Sequence, residues 1–132
     1  MDPGDQYPSG FSKHIGTEVI DLDPDNARAR IKVEPHHLQP FGIVHGGVYA
    51  TLAESISSTA TYEAVKDEGD VALAMSNSTT FLRPISAGYV NALARLRQRG
   101  RTTWVWDVEL SDDEERLCAL VRMTIAIRPR RG

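Results

Sequence analysis

The sequence predicts an α+β fold, a curved antiparallel sheet of about five or six strands wrapped around one long central helix. Three observations point there. From about Gly46 to Lys66 the apolar residues recur with helix period. The rest of the chain falls into strand-like segments of alternating or nearly alternating polarity. Short turns join successive strands, which favours antiparallel pairing, and a single helix supplies the layer that the sheet's apolar face needs.

Taken in order, residues 1–13 are rich in Pro and Gly and read as a loose N-terminal segment or a short packing segment. IGTEVIDL and ARARIKVE form two strands around the turn DPDN, and PHHLQPFG is an irregular loop held by Pro35 and Pro40. In the helix, Val48, Leu52, Ile56 and Ala60 are spaced by four and Ala53 widens the stripe. At 1.5 Å per residue, ~20 residues span ~30 Å, enough to cross the whole domain. DEGD at 67–70 ends it. Four strands follow, VALAMSNSTTFL, YVNALARLRQ, TTWVWDVELS and RLCALVRMTIAI, separated by RPISAG, RGR and DDEE. The acidic turn at 112–115 reads as a solvated hairpin tip. No linker or repeat divides the chain, so residues 1–132 are expected to form one domain. One helix leaves much sheet edge uncovered, which favours a dimer.

The bulk numbers exclude several classes. A net charge of -3 and a pI near 5.8 give no global basic field for nucleic acid. No apolar run approaches the ~20 residues of a membrane span. The N-terminus lacks the basic and apolar regions of a signal peptide, so a cytoplasmic location is expected. The lone cysteine, Cys118, lies within LCALV and reads as a buried structural thiol. His14, His36 and His37 read as surface or loop residues. Together with His45 they make no metal-ligand spacing, so no metal is expected. Trp104 and Trp106 share one strand face and read as core or interface packing.

The chemistry concentrates at GIVHGGVYATLAESISS, residues 42–58. The first backbone N–H groups of a helix have no intrahelical partner and carry partial positive charge. Gly46 and Gly47 would leave them open to a carbonyl oxygen, and so able to stabilise an oxyanion. His45, just before the helix, would orient that carbonyl or donate to it. The same glycines would also serve a tight turn or close strand packing. At 100° per residue, Gly47, Thr51, Glu54 and Ser58 lie on one stripe, away from Val48, Leu52 and Ile56. A carboxylate among such small groups is expected to sit in a cleft, partly buried, where its pKa would rise toward that of a useful base.

The run LQPFGIVHGGVYATLAES resembles the hotdog-fold acyl-CoA thioesterases. It is most similar to the 4-hydroxybenzoyl-CoA thioesterase branch with a helix glutamate, to the phenylacetate-pathway thioesterases and to 1,4-dihydroxy-2-naphthoyl-CoA thioesterase. The likeness includes IGTEVIDLDPDNARARIKV, NSTTFLRPISAG and LCALVRMTIAI. It implies that Gln39 contacts the thioester region, His45 lies beside the carbonyl and the Gly46 N–H forms the oxyanion hole. It further implies that Glu54 is the catalytic carboxylate and that Ser58 helps position water. It implies a homodimer with each site at the interface, the glutamine and the glutamate coming from different subunits, and two dimers forming a tetramer. Coenzyme A would be part of the substrate, with no separate cofactor.

On that resemblance, Glu54 would act as general base on water or attack directly to give a mixed anhydride. Arg83, Arg99 and Arg101 are candidates for the CoA phosphates, and Gly47 and Thr51 for substrate contacts. Two other readings stay open. One is a dehydratase on acyl thioesters, although such enzymes tend to show His-Phe-Pro where this chain has His45-Gly46-Gly47. The other is an acyl-CoA-binding protein that does not hydrolyse its ligand.

Overall fold

The computed structural model describes residues 7–131. Its first element is one helical turn, α1 (Gly10–His14), followed by strands β1 (Thr17–Asp21) and β2 (Asn26–Lys32). A 3-10 turn at Pro35–His37 leads to the long helix α2 (Gly46–Val65). Then come β3 (Asp70–Phe81), β4 (Tyr89–Arg99), β5 (Thr103–Ser111) and β6 (Leu117–Pro129). The N-terminal segment read from the sequence thus includes most of α1, from Gly10 onward. Residues 1–6 of that segment lie outside the described residues.

The six strands form one antiparallel sheet in the order β1-β2-β4-β5-β6-β3. The polarity pattern sets which face is inside. In β5, Trp104, Trp106, Val108 and Leu110 are buried and the residues between them are half-buried. In β2, Ala27, Ala29 and Ile31 point inward, while Arg28 and Lys32 are exposed. Ala27 pairs with Ala94 and Ala29 with Ala92, so the floor beneath the helix is thin there. Register shifts at Ala74/Ser76 and Leu96/Gln98 add local bends that help the sheet curl.

Helix α2 lies in the curl and touches β2, β3, β4, β5 and β6. Its buried stripe is Tyr49, Leu52, Ala53, Ile56, Ser57, Ala60, Thr61 and Val65. Compared with the expected stripe, Tyr49, Ser57 and Thr61 join it, and Val48 is only half-buried. The two hydroxyls are accommodated because they donate back to helix carbonyls: Ser57 Oγ to Ala53 O at 2.8 Å and Thr61 Oγ1 to Ser57 O at 2.8 Å. Thr61 also accepts the Trp106 indole N–H at 2.9 Å. Trp104 and Trp106 are core residues, and Cys118 is buried at 1% exposure. Burial pushes the Cys118 thiol above its ordinary pKa, so it is a poor nucleophile.

Two expectations are corrected. His37 is not a surface residue but is 2% exposed. Its Nδ1 accepts the Glu34 N–H at 2.9 Å, so the ring proton sits on Nε2, which donates to Ile15 O at 2.7 Å. The imidazole thus ties the loop before α2 to the end of α1. The acidic turn is not merely a solvated tip. Asp112 is buried and bound to Arg116, and Asp113 accepts from the Tyr89 N–H and Asn91 Nδ2. Among the described residues no helix is long and apolar enough to cross a membrane.

Candidate active site

The loop entering α2 is built to expose the helix start. Leu38 and Val44 pair as an isolated bridge, Gln39 N–H donates to Ile43 O at 2.8 Å, and Gly42 N–H donates to Gln39 O at 2.9 Å. Gly42 has φ +81°, a conformation that L side chains rarely adopt, so glycine is required at this turn. The His45 backbone N–H donates to His37 O at 2.9 Å, and the residue is exposed. The side chain of His45, the N-cap residue, makes no capping hydrogen bond to the first turn of α2. An alanine Cβ at Gly47 would meet nothing within 4 Å.

A cavity of about 460 Å³ opens at this helix start, lined by Gln39, Gly46, Tyr49, Phe81 and Arg83 among others. Its wall includes the edge strand, because Phe81 closes over Gly46. The Tyr49 phenol is 4% exposed and makes no hydrogen bond of good geometry. Burial raises its pKa, and the nearby Ile85 backbone draws it only partly back.

Glu54 lies elsewhere. It lines a second hollow of about 660 Å³ with Thr51, Ser55, Phe11, Asn77 and Thr79. In that hollow Asn77 Nδ2 donates to Ala50 O at 2.9 Å, and Thr79 Oγ1 donates to Asn77 Oδ1 at 2.7 Å. Ser58 lines a third hollow, of about 350 Å³, with Tyr7, Tyr62 and Arg130. Within one chain, Glu54 is exposed rather than partly buried. The chain alone therefore supplies a hollow beside this carboxylate but not the burial expected for it.

The residues singled out in the sequence therefore separate. Gln39, Gly46 and Arg83 share one cavity, Thr51 and Glu54 share another, and Ser58 adjoins a third. Gly47 and His45 are exposed at the helix start. Arg99 stacks on Trp104 at 4.5 Å and pairs with Asp25 at 3.6 Å. Arg101 is exposed in the β4–β5 turn, and neither arginine lines the Gly46 or Glu54 cavity. Sequence reasoning missed Tyr49, Asn77, Thr79 and Phe81 as lining residues. Tyr49 was discoverable, since it extends the Leu52, Ala53 and Ile56 stripe by helix spacing. The three strand residues stand at 77, 79 and 81, one face by period two, but only the register places that face over α2.

Comparison with known proteins matches this arrangement to one family. Residues 41–119 match the thioesterase superfamily. A Mycobacterium tuberculosis protein provisionally named an esterase is 40% identical over 111 residues, covering 83% of this chain and 79% of that one. A Listeria monocytogenes protein named 1,4-dihydroxy-2-naphthoyl-CoA hydrolase is 30% identical over 122 residues, covering 92% and 98%. The crystal structure of a glutamine-to-alanine mutant of a Pseudomonas aeruginosa thioesterase superposes with a TM-score of 0.87 at 30% identity, covering 95% of this chain and 97% of that one. With the six-stranded sheet wrapped on one long helix, these matches make the chain a hotdog-fold member of the thioesterase superfamily.

Proposed function

We propose that this member of the thioesterase superfamily is an acyl-CoA thioesterase whose sites are each assembled from two copies of the chain. The observation that carries the proposal is the spacing of Gly46 and Glu54 on one helix. Eight residues at 1.5 Å put them ~12 Å apart along the axis. A thioester carbonyl held at the Gly46 N–H is therefore out of reach of Glu54 on the same helix. A second copy brings its own Glu54 to that carbonyl. The edge strand β3 supports this pairing, since Leu73 and Met75 are 55% and 63% exposed on a twelve-residue edge. The family resemblance extends the assembly to a tetramer of two dimers.

In this site Gln39 and His45 orient the thioester, and the open N–H of Gly46 takes the negative charge that grows on its oxygen. Arg83, at the mouth of the same cavity, suits a CoA phosphate. Glu54 of the other copy either takes a proton from water or attacks the carbonyl carbon itself, and Ser58 holds the water. The C–S bond breaks and CoA leaves as a thiolate, a good leaving group that needs no strong acid. Small neighbours at Gly47 and Thr51 leave room for the acyl group. The Listeria relative's name supports a CoA ester as substrate.

The test is CoA release from a panel of aryl and alkyl acyl-CoAs by wild type and Glu54→Ala, with a no-substrate control for the Cys118 thiol. Wild type should cleave at least one member, and the variant should lose ~100-fold or more in rate, as for a missing base or nucleophile. Binding of acyl-CoA without cleavage of any member would overturn the reading in favour of a binding protein.

A further inference from the structure

The N-terminal turn α1 has no part in the chemistry above, yet it is fastened beside Glu54 from two sides. The Ser12 hydroxyl donates to the Ser55 hydroxyl, one residue past Glu54 on α2. At the other end, His37 Nε2 donates to Ile15 O, the residue that caps α1. Between these tethers Phe11 is left 66% exposed, and its ring lines the hollow that contains Glu54. The other walls of that hollow are small or polar: Ala50, Thr51, Ser55, Asn77 and Thr79. Asn77 and Thr79 are already bonded to Ala50 O and to each other, so they offer little apolar contact. Among the described residues that line this hollow, Phe11 is thus the one large apolar side chain.

We propose that Phe11 is a specificity-determining residue, which packs against an apolar acyl body once its thioester carbon faces Glu54. The inference rests on the thioesterase reading for what the hollow holds. An acetyl group offers only one methyl group for an apolar contact with Phe11. An acyl group with a ring or branched chain covers the Phe11 face and gains from the apolar area removed from water. The turn α1 then belongs to the site, and the acyl preference is set by a segment far in sequence from the His-Gly-Gly motif.

The experiment measures binding and turnover separately. Binding of benzoyl-CoA, acetyl-CoA and free CoA is measured by calorimetry to the Glu54→Gln chain and to Glu54→Gln with Phe11→Ala or Phe11→Tyr. Hydrolysis of the two thioesters by wild type runs in parallel. The expected result is that Phe11→Ala weakens benzoyl-CoA about tenfold relative to acetyl-CoA, the scale of discrimination by one apolar contact. Phe11→Tyr should keep most of the preference. Equal changes for all three ligands, no change, or no preferential binding of benzoyl-CoA would overturn the role of Phe11. Absence of hydrolysis by wild type would overturn the thioesterase reading instead, and the binding ratios would still decide the role of Phe11.

Discussion

The ring of Phe81 lies so close over Gly46 that a Cβ added at Gly46 would fall 2.7 Å from its Cζ and 2.9 Å from its Cε1. Close packing against the edge strand thus falls on the first residue of a helix whose N-cap side chain makes no capping bond.

That contact predicts a change of sign. Gly46→Ala should lower stability in the wild-type background, since the ring must move. In a Phe81→Ala background the same substitution should be neutral or stabilising by up to ~1 kcal/mol, because alanine restricts the unfolded chain more than glycine. Urea midpoints of the four proteins read this directly. Equal costs in both backgrounds would mean that something other than Phe81 demands glycine.

A site shared between copies predicts complementation. Gln39→Ala and Glu54→Ala chains, each inactive alone, should regain activity when unfolded and refolded together. Random pairing makes half the dimers mixed, each with one intact site of two, so about a quarter of wild-type activity should return. Sites contained within single chains would give no recovery.

The exposed edge strand predicts the interface. Leu73→Lys places a charge on β3, where Leu73 is 55% exposed in the single chain. The variant should elute at monomer mass and lose thioesterase activity with its fold intact by circular dichroism. A variant that elutes as wild type would remove β3 from the interface.

The buried acid in the β5–β6 turn predicts a pH dependence. The Asp112 carboxylate accepts the Arg116 N–H at 2.9 Å, the Glu114 N–H at 3.0 Å and Arg116 Nε at 2.7 Å. The Arg116 backbone bond leads in holding its pKa below the usual 3.8, against a smaller opposing effect of burial. A carboxylate with a lowered folded pKa stabilises fully above its unfolded value and loses that contribution as pH falls through the folded one. Asp112→Asn should therefore lower Tm at pH 7, and the difference should close as the pH drops below about 3.8. A constant gap across that range would show that the carboxylate's charge is not what matters.

Much of the architecture was legible before any coordinates. The six strands and the helix fall within a few residues of their expected bounds, because turn signals such as DPDN, DEGD, RPISAG and DDEE separate them. What escaped the sequence were contacts between distant segments. Ser57 and Thr61 look polar, yet their hydroxyls are satisfied by their own helix and can be buried. His37 looks like a loop residue, yet its two ring nitrogens match two backbone groups, one of them 22 residues away. The candidate site was legible as a list of residues but not as a place. Periodicity set Glu54 on a stripe, whereas its exposure depends on which side of α2 the sheet leaves bare.

The position of β3 also orders events during synthesis. Although it follows α2 after one short turn, among the described residues it pairs with β6 alone, from Asp70 opposite Pro129 to Phe81 opposite Ala119. On the ribosome β3 therefore has no partner until β6 has emerged. Loop closure over so long a stretch is slow, and an unpaired apolar strand is prone to misassociate meanwhile. The edge that would join two copies is completed only when β6 has paired with β3, so pairing between chains must wait for that strand.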